Sequence, residues 1–242
     1  MLSKNRIKLI KSLHFKKFRD ESNLFLVEGE KMSLELIRLK PECIEQIYGT
    51  NEFIEENKII EKFEKITEKE LSQISTLKTP NKVLIVCKKW DLKENINSRN
   101  EFYLALDEIQ DPGNLGTIIR LADWFGVKNI VCSKNTADCF NPKVVQATMG
   151  SIFRINLMYQ DLSKFIESKN LPVYGAFLDG ESIYQKARAP KGILILGNEG
   201  NGISKEIENL VSDKITIPKF GEAESLNVSV ATGILLSEFF RN

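Results

Sequence analysis

Histidine is almost missing from this chain: in 242 residues only His14 carries an imidazole. That removes the commonest physiological base and metal ligand from nearly the whole sequence. Cysteine is scarce as well. Cys43, Cys87, Cys132 and Cys139 form no Cys-x-x-Cys pair and have no histidine beside them, so zinc is disfavoured, no metal is expected, and reduced packing thiols are. No apolar run approaches the roughly 20 residues that span a bilayer. The N-terminal stretch "MLSKNRIKLIKSLHFKKFR" has neither a clean apolar core nor a small-residue cleavage site, so a cytoplasmic protein is expected. Net charge is only +1, which by itself names no partner. Repeats and low-complexity tracts are absent.

What is present is unevenly distributed. Residues 1–19 hold seven Lys or Arg and no acid, whereas residues 20–70 hold fourteen acids against seven bases. Lys8, Lys11, Lys16 and Lys17 in the first run are candidate contacts to phosphates, the alternative being a solvated helix face.

The hydrophobic pattern predicts two α/β units. A basic helix over 4–18 precedes strands at "NLFLVEG", "IEQIYG" and "KVLIVCKKW", with a helix at "KMSLELIRL". The polar stretch "DLKENINSRNE" reads as a linker, which puts a small lobe at 1–95 and a larger domain at 96–242. In the larger domain "FYLALDEI", "NIVCS", "INLMY", "PVYGAFL", "GILILG" and "KITIP" are short apolar runs between helical segments. They predict a mainly parallel sheet covered on both faces.

Three loops in that domain leave strand ends, where open parallel sheets bind ligands. In "LDEIQDPGNLGTIIRLADWFG" Asp111-Pro112-Gly113 makes a turn, and Asn114 is positioned to cap the helix that follows. Leu115, Ile118, Ala122 and Phe125 share one face of that helix, which leaves Arg120 off the core side, as a functional group or as a surface residue pairing with Asp123 or Trp124. The second loop, "GILILGNEGNGISKEI", spaces Gly197, Gly200 and Gly202 as G-x-x-G-x-G. It lacks the Lys-Ser/Thr of a P-loop and inverts the dinucleotide fingerprint, and no acid ends the next strand to hold a ribose, so phosphate-rich cofactors are disfavoured. The third is "ITIPKFGEAESLNVSVATGILLSEFF", in which Ser225 suits the N-cap of a last, apolar helix. Gly233 inside that helix costs about 1 kcal/mol, which points to core packing or to a subunit interface there.

"DPGNLGTIIRLADWFG", "LGNEGNGIS" and "IPKFGEAESLNVSVATGILL" resemble, in this order and spacing, the three motifs of the SpoU (TrmH-like) RNA ribose 2′-O-methyltransferases of the SPOUT superfamily. The resemblance covers residues 102–242 with no departure at the motif positions. Residues 1–90 are similar, less specifically, to the SpoU substrate-binding domain. It implies an α/β fold whose C-terminal domain is tied in a deep trefoil knot, an exception to the rule that chains are unknotted. It further implies S-adenosylmethionine held mainly by backbone groups, with Gly197, Asn198, Gly200, Ile217 and Leu226 carried over as contacts. Asn114, Arg120, Glu199, Ser225 and Asn227 are carried over as the catalytic set, and a homodimer as the assembly.

The implied chemistry suits a chain nearly without histidine. Transfer from a sulfonium needs alignment and help for the 2′-hydroxyl in losing its proton, not a metal. A guanidinium holds its proton throughout the physiological range and is a poor base, so hydrogen bonding to the developing alkoxide is the role expected of Arg120. Ribosomal RNA is the expected substrate and transfer RNA the alternative. Two rival readings leave residues unexplained: a nucleotide- or NAD-binding enzyme gives Arg120 and "SLN" no task, and a non-catalytic RNA-binding module gives the three loops none.

Overall fold

The apolar runs become two sheets. The computed structural model describes residues 2–59, 61–92, 102–185, 188 and 190–241. The expected boundary at 95/96 and most of the expected linker lie outside the described residues.

The first unit begins with α1 (Lys4–Ser12), α2 (Lys16–Ser22), β1 (Leu24–Glu28), α3 (Glu30–Leu39), β2 (Ile44–Gly49), α4 (Asn51–Glu56), β3 (Phe63–Lys65), α5 (Glu68–Ile74) and β4 (Val83–Lys88). Its sheet runs β1-β4-β2-β3, with β4 antiparallel to both neighbours and β2 parallel to β3. The unbroken apolar run Val83–Cys87 is buried throughout, as a central strand requires. The single helix expected over 4–18 is two. Ile10 and Leu13 turn into a core with Leu26, Tyr48 and Leu84, and Arg19 Nη1 donates to the carbonyls of Leu13 and His14, both at 2.9 Å, which fixes the break. The sequence reading passed over α4, β3 and α5, although Thr67 and Glu70 form a capping box at α5 that a T-x-x-E spacing announces.

The chain continues with β5 (Phe102–Leu106), α6 (Pro112–Trp124) and β6 (Asn129–Cys132) in the second unit. It then sends α7 (Pro142–Thr148) back to the first: the two units are Met1–Asp91 with Asp138–Phe153, and Leu92–Ala137 with Arg154–Asn242. In that excursion Phe140 stacks on Phe25 and Trp90, with centroids at 4.8 and 5.0 Å, and Asp138 receives the Arg19 guanidinium. Nothing in the composition of 138–153 advertises it.

The second unit resumes with β7 (Asn156–Tyr159), α8 (Leu162–Glu167), β8 (Val173–Ser182), β9 (Gly192–Leu196), α9 (Lys205–Glu208), β10 (Asp213–Thr216) and α10 (Val228–Phe239). All six expected strands form one sheet, β10-β8-β9-β5-β6-β7, and every pairing in it is parallel. The central strands β5 and β9 are buried at all five positions, which is why "FYLAL" and "GILIL" show no polar alternation. The chain steps outward from β5 to β6 and β7, then returns beyond β5 for β8, β9 and β10. The direction therefore reverses between β5 and β9, and a ligand crevice belongs at their carboxyl ends. α10 packs along α6 and anchors its end ring, Phe239, against Phe102 and Tyr174 at 5.2 and 5.0 Å. No helix among the described residues is long and apolar enough to cross a membrane.

Candidate active site

The loop leaving β5 organises its neighbour. Asp107 is buried and accepts the Ser204 amide at 2.8 Å, and the Glu108 carbonyl accepts the Asn198 side chain at 2.9 Å. The sequence reading gave these two acids no role; an acid directly after an all-apolar strand is the signal that marks Asp107. Beyond it, Asp111 and not Asn114 is the N-cap of α6, accepting the Asn114 amide at 2.8 Å, with Pro112 at the first helical position. Capping by Asp111 leaves the Asn114 side chain available to other partners.

That side chain joins all three loops. Asn114 Nδ2 donates to Glu199 Oε1 at 2.9 Å, and Asn114 Oδ1 accepts from Asn227 Nδ2 at 2.9 Å. Asn227 divides its two ends. Its oxygen accepts the amides of Ser229 and Val230 and so caps α10, and its NH2 reaches Asn114. Asn227 thus takes the cap expected of Ser225, which lies exposed in the preceding loop. Residues 114, 199 and 227 are therefore one hydrogen-bonded set drawn from three distant segments.

Arg120 is exposed on α6, and among the described residues no hydrogen bond or ion pair engages it. Its expected surface partner Asp123 is instead bound by Arg154, at 2.8 Å from Nε and 2.7 Å from Nη2. The guanidinium is left with five donors facing solvent.

The glycine loop after β9 folds back on itself. Asn198 and Gly202 exchange backbone hydrogen bonds at 2.9 Å, and Asn198 Oδ1 accepts the amides of Gly200 and Asn201. A Cβ at Gly197 would stand 2.2 Å from the Gly202 carbonyl carbon, so the loop's own closure demands that glycine. Gly202 sits at φ +68°, in the left-handed region. The remaining carried-over contacts, Ile217 and Leu226, flank the loop between β10 and α10.

In the first unit Lys8, Lys11, Lys16 and Lys17 are all exposed, with Lys17 3.9 Å from Glu21. Arg19, the seventh base of the basic run, is only 1% exposed and is a core residue. The four cysteines are buried, as expected of packing residues. Among the described residues no group of three or more His, Cys, Asp or Glu is placed to hold a metal ion.

Residues 101–237 match the sequence profile of the SpoU rRNA Methylase family, and residues 4–85 match an MRM3-like substrate binding domain. The chain belongs to the SpoU rRNA methylase family. Nearly all of its length aligns with the 23S rRNA (guanosine(2553)-2′-O)-methyltransferase RlmP of Bacillus subtilis, at 32% identity over 96% of this chain and 94% of RlmP. A TrmH-family protein of Porphyromonas gingivalis superposes with a TM-score of 0.87 at 37% identity, over 99% of this chain and 98% of its own. The rRNA methyltransferase of Sinorhizobium meliloti with bound AdoMet does so at 0.84 and 31%, over 100% and 96%. Membership makes this chain an RNA methyltransferase with S-adenosylmethionine as methyl donor. The site fits that group. The donor is an adenosyl body with a short zwitterionic tail, and the carboxyl ends of β9 and β10 offer loop backbone, with the apolar side chain of Leu226, 48% exposed, in the loop that follows β10.

Proposed function

We propose that this chain methylates the ribose 2′-hydroxyl of a guanosine in 23S ribosomal RNA, and so works in the cytoplasm. The observation that carries the substrate is the extent of likeness: RlmP aligns along both units, whereas a tRNA/rRNA methyltransferase of Borreliella burgdorferi, 34% identical, aligns over 59% of this chain and 64% of its own length. Bound S-adenosylmethionine supplies the electrophilic methyl group. Gly197, Asn198, Gly200, Ile217 and Leu226 hold it through the second and third loops, which in this reading form the trefoil knot. Arg120 donates hydrogen bonds to the 2′-oxygen as its proton leaves, where charge develops. Asn114, Glu199 and Asn227 act together to orient the hydroxyl, and Ser225 borders them. The 2′-oxygen would end as a methyl ether, with S-adenosylhomocysteine as the other product, and its proton would pass to solvent or buffer.

The enzyme is a two-fold homodimer in this reading. Leu121, Val230, Gly233 and Ile234 help line an apolar groove of about 500 Å3 along α6 and α10. A methyl group built on Gly233 would meet Leu121 at 3.6 Å, an ordinary contact, so nothing within the protomer demands a residue that weakens the helix. A second copy of α10 supplies the demand.

Ribose-methylation mapping on RNA from a strain lacking the gene, followed by repair with purified protein and S-adenosylmethionine, tests the assignment. One 23S guanosine is expected to lose and regain its methyl group; loss confined to transfer RNA, or none, overturns the assignment.

A further inference from the structure

Six exposed bases, Lys4, Arg6, Lys8, Lys11, Lys16 and Lys17, share residues 4–18 with a feature that phosphate binding leaves unused. Phe15 and Phe18 are 64% and 42% exposed, and their rings meet edge to face, 6.4 Å apart at 74°. An exposed aromatic pair within a basic run offers π faces that contacts to phosphate do not use. Their backbone is held from beneath. Ile10 and Leu13 are fully buried on one side of the turn, and the buried Arg19 guanidinium ties the carbonyls of Leu13 and His14 on the other. The rings therefore stand on a fixed support. Of the nearby acids, Glu21 pairs with Lys17 at 3.9 Å and Asp20 with Lys89, which leaves Lys4, Arg6, Lys8, Lys11 and Lys16 without an ion pair among the described residues.

We propose that Phe15 and Phe18 are a stacking platform for an unpaired base of the RNA substrate, with the lysines of the same run taking the flanking phosphates. The inference rests on the RNA-methyltransferase reading and deepens it: the first unit grips a single-stranded loop or bulge, not an A-form helix. Duplex RNA keeps its bases stacked internally and offers phosphates and 2′-hydroxyls, which aromatic rings do not recognise, whereas a splayed base presents a free π face. Two perpendicular rings receive such a base face-on against one and edge-on against the other.

The test uses the full-length protein, fluorescent oligouridine, and an RNA duplex carrying the same number of phosphates. Stacking contributes enough per base that Phe15→Ala with Phe18→Ala should raise Kd for oligouridine at least about ten-fold. The slope of log K against log salt should not change, because no charge is removed. Duplex binding, S-adenosylmethionine binding and the melting temperature should also hold, and Phe15→Trp should keep the affinity with its fluorescence quenched by RNA. An unchanged oligouridine Kd, an equal loss on duplex, or an altered oligomeric mass overturns the platform, the last by showing the rings to be a protein contact. If the unaltered protein methylates ribosomal RNA while one of those results is found, only the platform fails. If it binds and methylates no RNA, the functional reading fails with it.

Discussion

Arg19 and Arg120 are the same side chain in opposite circumstances. Arg19 stands in a run of seven bases, looks like an RNA contact, and is spent inside the protein: Nη1 serves two carbonyls, while Nε and Nη2 reach Asp138 at 3.1 and 2.6 Å. Arg120 stands in a helix of ordinary composition, and among the described residues it has no partner. Local sequence gave the two similar chances of being functional. What separates them is whether the fold supplies acceptors, since a buried guanidinium must be matched and an exposed one is free to meet a ligand.

The contrast is sharpest in stability. Arg19→Ala removes one partner of a buried pair and leaves Asp138 with two backbone carbonyls unanswered, which should cost about 3–5 kcal/mol in urea unfolding. Arg120→Ala should leave stability within about 0.5 kcal/mol. Its effect belongs to catalysis: turnover should fall on the order of a hundred- to a thousand-fold with S-adenosylmethionine affinity unchanged, as for loss of a donor used only in the transition state. Near-normal turnover would make Arg120 as inert as its exposure alone suggests.

The polar set around Asn114 allows a finer division. Asn227→Ala loses the α10 cap and should cost about 1 kcal/mol of stability, whereas Asn114→Ala caps nothing. In a double-mutant cycle on methyl transfer the two should couple by at least about 0.5 kcal/mol, and strict additivity would show that their hydrogen bond does not serve the reaction. Smaller still, neutralising Lys8, Lys11, Lys16 and Lys17 together should flatten the salt dependence of RNA binding by about four units, near one for each lost phosphate contact. An unchanged slope would reduce that arm to a solvated face.

The least effect is a pH dependence beside Arg19. Burial pushes the His14 pKa below its ordinary 6.5; Glu28 opposes this, and Lys11 and Arg19 add to the lowering. The folded state therefore prefers neutral imidazole, so the stabilisation is complete above pH 6.5 and is lost as pH falls through the lowered value. Unfolding midpoints compared at pH 7.5 and about 5.5 should show His14→Gln less acid-sensitive than the parent protein.

The strands of the second unit were legible because each is a bounded apolar run, and parallel strands covered on both faces leave no other pattern. The caps were legible only in kind. "DPGN" and "SLN" each offer two capping residues, and Asp111 and Asn227 prevail because their oxygens reach the first helical amides. The bond from Asn114 to Glu199 spans 85 positions, and that from Asn114 to Asn227 spans 113; no periodicity carries such separations, so only likeness to known motifs brought these residues together beforehand. The break after Ser12 was hidden because basic residues continue through it at helical spacing, and only the core decides where the helix must turn.

The return of residues 138–153 to the first unit also has a consequence in time. A chain made from its N-terminus has finished β1 and β4 long before it makes the ring of Phe140 or the carboxylate of Asp138 that complete them. At roughly 5–20 residues per second, the some sixty residues between Asp91 and Phe153 take several seconds to emerge. Over that interval Phe25 has the Trp90 ring but lacks Phe140, and the Arg19 charge lacks its counterion. The nascent lobe is thus committed to waiting for its own late segment, and the amino-terminal unit matures during synthesis only once β5 and β6, two of the six strands of the second sheet, have already been translated.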